Sequence, residues 1–83
     1  MNIDKLNNRL RTWFLTYRKE KELTQGQFAD KAEICHKHYG EFENTQTKCR
    51  LSMWYFLKIC YHHGLKPWVV LELALGSVWG EKT

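Results

Sequence analysis

Four histidines, three cysteines and 13 lysines and arginines are the side chains with which this 83-residue chain could do chemistry. A zinc-type centre would repeat its donors at a coordinating interval, such as paired cysteines facing paired histidines. Cys35-His36 and His62-His63 are instead adjacent pairs, Cys49 falls in a polar stretch and Cys60 among apolar residues. No metal and no other cofactor is expected from that spacing. Catalysis has less behind it. There is no glycine-rich phosphate loop, no nucleophile elbow and no pair of acids that a cleft would gather. Cys35 beside His36 is the one nucleophile-like neighbour pair, and adjacency at a helix start does not aim the two side chains at each other. The chain is therefore not expected to be an enzyme or to hold a small-molecule ligand. What is left is a basic surface: the formal charge is +4 and the pI near 9.1, a balance suited to a polyanionic partner through counterion release.

The elements that must carry these side chains are short and helical. Ile3, Leu6, Leu10, Trp13, Phe14 and Tyr17 recur at the three-and-four spacing of one helix face, with Arg9, Arg11, Arg18 and Lys19 expected to stay solvated. Thr24 followed by Gln27 is a capping box that opens a helix over 25–32. Glu33 and Ile34 form a tight turn, and Cys35 leads into a helix ending near Glu43 with Tyr39 and Phe42 inward. Residues 44–51 are polar and basic and form a loop. Ser52 caps a fourth helix whose inward positions are Met53, Phe56, Leu57 and Cys60, and Gly64 stops it. Pro67 starts a fifth helix, which Gly76 ends after Leu75; the tail from Ser77 is expected to fray. With no internal repeat or linker, positions 1–83 make one domain, all-α, of five helices. No signal peptide is visible, and the longest apolar run, Trp68 to Leu71, is far too short to cross a bilayer.

Two short helices joined by a tight turn, a small residue on the first and bulky ones on the second, make a helix-turn-helix over about 24–44. Counting Gln25 as the first place, Ala29 is fifth, Ile34 tenth, Tyr39 fifteenth and Phe42 eighteenth. The fifth place must be small because the second helix crosses there; the other three enter the core. With LTQGQFADKAEI at 23–34, HYGEFEN at 38–44 and LKICYHHGLKPWVVLEL at 57–73, the chain resembles the phage-repressor and Cro type of helix-turn-helix family, often called XRE-like. The resemblance implies a compact five-helix, lambda-repressor-like domain that binds operator DNA, usually as a dimer. Two positions depart from the family pattern: the ninth place, usually glycine, is Glu33, and Gly40 lies inside the second helix.

That resemblance implies roles for particular residues. The helix at 35–43 lies in the major groove, with His36, Lys37 and Glu41 towards base edges. Lys37 suits guanine O6 and N7, Glu41 suits cytosine N4, and His36 either donates or accepts; Lys37 and Glu41, four apart, also suit each other as an ion pair. Gly40 lets the helix approach the duplex or a thymine methyl. Thr24 and Gln25 at the preceding helix start suit a phosphate, as do Asn44, Lys48 and Arg50 in the following loop.

The helix at 67–75 bears on assembly. Its one charged residue is Glu72, so it is apolar nearly all round and must be covered on two sides. The core takes Val70, Leu71 and Ala74, leaving Trp68, Val69, Glu72, Leu73 and Leu75 for a two-fold interface. The alternative is a monomer whose tail, with Val78 and Trp79, folds back over the same patch. These expectations describe a transcriptional regulator, more readily a repressor, acting as a homodimer on an inverted repeat in double-stranded DNA. It would be encoded by a bacterium or phage and lie on the nucleoid in the cytoplasm, with reduced cysteines and no membrane partner. The competing expectation is an antitoxin-like module that holds a partner protein and binds DNA secondarily.

Overall fold

In a computed structural model, which describes residues 3–79, the chain forms five helices, with no strand among those residues. They are α1 (Ile3–Glu20), α2 (Gln25–Ala32), α3 (His36–Glu43), α4 (Met53–His62) and α5 (Pro67–Trp79). Local chemistry accounts for most of the boundaries. Asp4 in the first turn of α1 and Arg18 and Lys19 in its last oppose the helix dipole. Thr24 Oγ1 accepts from the Gln27 amide at 3.1 Å while Gln27 Oε1 accepts from the Thr24 amide at 2.9 Å, closing the capping box of α2. Ser52 Oγ accepts from the Tyr55 amide at 3.1 Å at the start of α4. Cys35 precedes α3 without a side-chain cap bond.

Three of the helices end the same way. Leu23, Ile34 and Leu65 donate their amides back to Arg18, Ala29 and Cys60 at 3.2, 3.0 and 2.8 Å, and the residue before each sits in the left-handed region. That residue is Gly64 after α4 (φ +69), but Glu22 after α1 and Glu33 after α2, both at φ +58. An L-residue in this conformation costs roughly 1–2 kcal/mol through its Cβ. Two glutamates therefore hold turns in which glycine is free of that cost.

Phe14 is the hub of the core. Its ring stands edge-on to Phe28 of α2, Phe42 of α3 and Phe56 of α4, with centroids 6.1–6.4 Å apart. Ala29, Ala32, Ile34, Tyr39, Ile59, Cys60 and Val70 complete the buried cluster. α2 packs against α3 and α4, while α5 lies chiefly on α1.

Several expectations are corrected here. Met53 and Leu57 of α4 are 67% and 39% exposed, and Ile59 takes the inward place with Phe56 and Cys60. Ile3 is exposed at the open end of α1. Arg11 and Arg18 are not solvated: the helical period places them on the side of Phe14, and Arg11 is only 4% exposed. Leu71 is exposed rather than in the core. α5 runs through Gly76 to Trp79, because Val78 extends the Val70–Ala74 stripe onto α1. A mid-helix glycine costs about 1 kcal/mol, whereas burying a valine side chain gains about 1.5–3 kcal/mol, so packing overrides the stop. Arg9 also reaches Ser77 Oγ at 2.6 Å, tying this last stretch to α1. No helix among the described residues is long and apolar enough to cross a membrane.

Candidate nucleic-acid interface

α3 divides its residues cleanly. Tyr39, Phe42 and Glu43 are buried, while His36, Lys37 and Glu41 stand exposed on the opposite side. The first turn of α2 and the loop after α3 border that exposed side. A Cβ on Gly26 would lie 3.4 Å from the His36 ring, and one on Gly40 would lie 3.1 Å from Gln25 Oε1. At the other end Thr47 Oγ1 donates to the Glu41 carbonyl at 2.6 Å. The surface is thus continuous from Thr24 and Gln25 across α3 to the loop.

Each residue expected to meet DNA has a definite place. Thr24 is exposed, with its hydroxyl engaged in the capping box. Gln25 does not stand free for a phosphate: its amide donates to Glu43 Oε1 at 3.0 Å. Gly40 leaves the space through which Gln25 reaches that carboxylate, so its first role lies within the protein. His36 Nε2 pairs with Asp30 Oδ1, an exposed contact worth little against solvent. Lys37 and Glu41 project outward and form no ion pair with each other. Asn44 caps the end of α3, its Oδ1 accepting from the Gln46 amide at 2.9 Å. Lys48 is exposed, and Arg50 bonds Asp4 of α1 at 3.0 Å.

Two arginines that the sequence reading left in solvent hold this surface in place. Arg18 clasps Glu43 with two bonds of 2.8 Å and donates to the Leu23 carbonyl at 2.7 Å. One side chain therefore joins the α1–α2 turn to the end of α3. Burial by itself would raise the Glu43 pKa. Hydrogen bonds around the carboxylate, Arg18 foremost, outweigh that and hold it below the usual range. The Tyr39 hydroxyl leans on the same pair without well-formed hydrogen-bond geometry, and burial, with Glu43 beside it, pushes its ionisation far up.

Arg11 does the corresponding work for the loop. It donates to the Phe42 carbonyl at the C-terminal end of α3, to Asn8 Oδ1, and more weakly to the Thr47 and Cys49 carbonyls at 3.5 and 3.4 Å. A cation at that end of α3 satisfies an orphan carbonyl and opposes the helix dipole. Asn7 Nδ2 adds a bond of 3.2 Å to Cys49 O. The signal for both arginines was present in the sequence, since Asn7, Arg11, Phe14 and Arg18 recur at helical spacing.

The histidines and cysteines separate by environment. His63 is half-buried against the core: its ring stacks on Phe28 at 4.1 Å and bonds the Phe28 carbonyl at 3.1 Å, and burial lowers its pKa. His62 pairs with Glu33 at 3.1 Å. Cys60 is buried in the core, which pushes its thiol up to about 11. Cys49 is half-buried; burial first, and Glu41 second, raise its pKa. The structure gathers His38, Glu41 and Cys49 together, which sequence reasoning missed because Cys49 reaches α3 only through the fold of the loop. No family model matches the chain, and neither a curated protein nor a solved structure is significantly similar to it.

Proposed function

We propose that this chain is a sequence-specific, double-stranded DNA-binding transcriptional regulator with a lambda-repressor-like helix-turn-helix, acting as a homodimer on an inverted repeat. The observation that carries the reading is the division of α3: Tyr39 and Phe42 lock it into the core while His36, Lys37 and Glu41 face solvent on a rigid helix. That is what a base-reading helix requires, because side chains on a fixed element keep their register against the groove. Lys37 reads guanine, Glu41 reads cytosine, and His36 exchanges Asp30 for a base edge. Thr24, Asn44, Lys48 and Arg50 flank the groove at the phosphates, while Gln25 braces α3 through Glu43. In this reading the protein represses by occupying the promoter against polymerase.

The outward side of α5 supports pairing. Val70, Ala74 and Val78 face the core, whereas Trp68 is 68% and Leu73 64% exposed, with Trp79 close behind. Reading an inverted repeat requires that two copies joined there hold their α3 helices about 34 Å apart, one turn of DNA.

Selection of bound sequences from a random duplex pool, followed by salt titration, tests the proposal. An inverted-repeat site is expected that survives salt concentrations stripping random DNA from the protein. Lys37→Ala is expected to weaken that site by about 1–3 kcal/mol and to relax preference at one base position. Equal affinity for selected and random duplexes at every salt concentration would sink the reading. A second reading, an antitoxin-like module that holds a partner protein, is favoured by one observation: Met53, Trp54, Leu57 and Tyr61 leave an apolar face of α4 exposed. Stoichiometric co-purification of a protein that is lost on Trp54→Glu would select it.

A further inference from the structure

We propose that His38, Glu41 and Cys49 form a binding site for a divalent transition ion of the zinc class. Their donor atoms, one imidazole nitrogen, one carboxylate oxygen and one sulfur, all lie within 4.8 Å of one another. Zinc bonds of about 2.0–2.3 Å set tetrahedral donors about 3.3–3.8 Å apart, so roughly 1 Å of side-chain movement closes the site. A thiolate with an imidazole and a carboxylate suits zinc and its neighbours; magnesium and calcium prefer all-oxygen sets.

The three donors are brought together by the fold and do not depend on an ion to meet. His38 and Glu41 are three apart on α3 and share a face. Cys49 comes from the loop, whose backbone is already fixed: Arg11 and Asn7 both bond its carbonyl, and its amide donates to Thr47 Oγ1 at 3.4 Å. That same Thr47 hydroxyl bonds the Glu41 carbonyl, joining the loop to α3 beside the site. The His38 ring stands edge-on to Tyr55 with centroids 4.8 Å apart, which limits how the imidazole turns. Other elements thus orient two of the three donors, as metal sites require of their surroundings.

Binding is a ligand exchange without redox change. The ion sheds waters, the Cys49 thiol gives its proton to solvent, and the sulfur–metal, nitrogen–metal and oxygen–metal bonds form, with water in the fourth position. The site does not rest on the DNA reading, although it shares Glu41 with it. If that reading holds, the ion draws Glu41 back towards the loop and alters the groove-facing surface at its edge.

Titration of the reduced, chelator-stripped full chain with Co²⁺, without DNA, tests the proposal. One ion per chain is expected, with a thiolate-to-cobalt charge-transfer band and the strong visible bands of tetrahedral cobalt, all displaced by Zn²⁺. Cys49→Ala is expected to abolish the charge-transfer band and Cys35→Ala to leave it intact, with folding followed by circular dichroism. Glu41 is exposed, so Glu41→Gln removes a donor without touching the core and is expected to weaken Co²⁺ binding about tenfold or more. This variant carries the test should Cys49→Ala fail to fold. Absence of the charge-transfer band, a band that follows Cys35 rather than Cys49, two chains per ion, or unchanged affinity in Glu41→Gln each overturns the site.

Discussion

Glu33 holds the turn between α2 and α3 in a conformation that glycine adopts without strain, at φ +58 and ψ +42. Glu33→Gly is therefore expected to stabilise the protein by about 1 kcal/mol, since the exposed bond to His62 that it loses contributes little. The check is a higher urea midpoint at unchanged slope; a lower midpoint would show that the glutamate is not strained there. Glu43 is the opposite case. Its side chain is 3% exposed, and Glu43→Gln leaves the Arg18 cation buried without its counter-charge. A loss of about 3–5 kcal/mol is expected, a large part of the roughly 5–15 kcal/mol that holds a domain together. The sign of the pH dependence follows from the same pair. The folded-state pKa of Glu43 is depressed, so its stabilisation is fully present above the unfolded value of about 4.3 and fades as pH falls through the lower folded value. Thermal melts of the wild type should drop in that acid window, and the Glu43→Gln variant should show a smaller drop.

Among the elements, α5 shows packing overruling a local stop. Gly76 interrupts a helix whose last turn is kept by Val78, and a Cβ on Gly76 would meet Glu72 Cγ at an ordinary 3.8 Å. Gly76→Ala should therefore raise stability by about 0.5–1 kcal/mol without disturbing α1, read as a higher melting temperature. A fall would show that this part of α5 needs the freedom glycine gives. Gly40 in α3 is different. Its missing side chain is filled by Gln25 on the way to Glu43, so gain in helix propensity and loss of a charge-assisted bond oppose each other there.

For the molecule as a whole, assembly is the property that the outward side of α5 bears on. Trp68→Glu with Leu73→Glu changes two exposed positions and leaves Val70, Ala74 and Val78 on the core. The double variant should keep its helical circular dichroism while sedimenting as a monomer and losing affinity for the inverted repeat more than for a half-site. A wild type that sediments as a monomer with and without DNA would remove the homodimer from the proposal.

How much was legible in the sequence follows from where the causes lie. The capping pair Thr24–Gln27, Ser52, Gly64 and Pro67 act within a turn of themselves, so helix starts and most stops could be read directly. Periodicity likewise showed that Phe14, Tyr39, Phe42 and Phe56 turn inward, because it is a property of one helix at a time. Apolarity misplaced Met53, Leu57 and Leu71, since it marks a residue as suited to burial but not as having a neighbour to bury it. Charge misplaced Arg11 and Arg18, whose partners Phe42 and Glu43 lie 31 and 25 positions away. The grouping of His38, Glu41 and Cys49 was hidden for the same reason: two donors lie on one helix, but the third arrives on a loop held by α1. Residues 3–79 thus carry their helices locally, and only tertiary packing decided which charges are buried and which donors meet, because burial and proximity belong to pairs of distant segments.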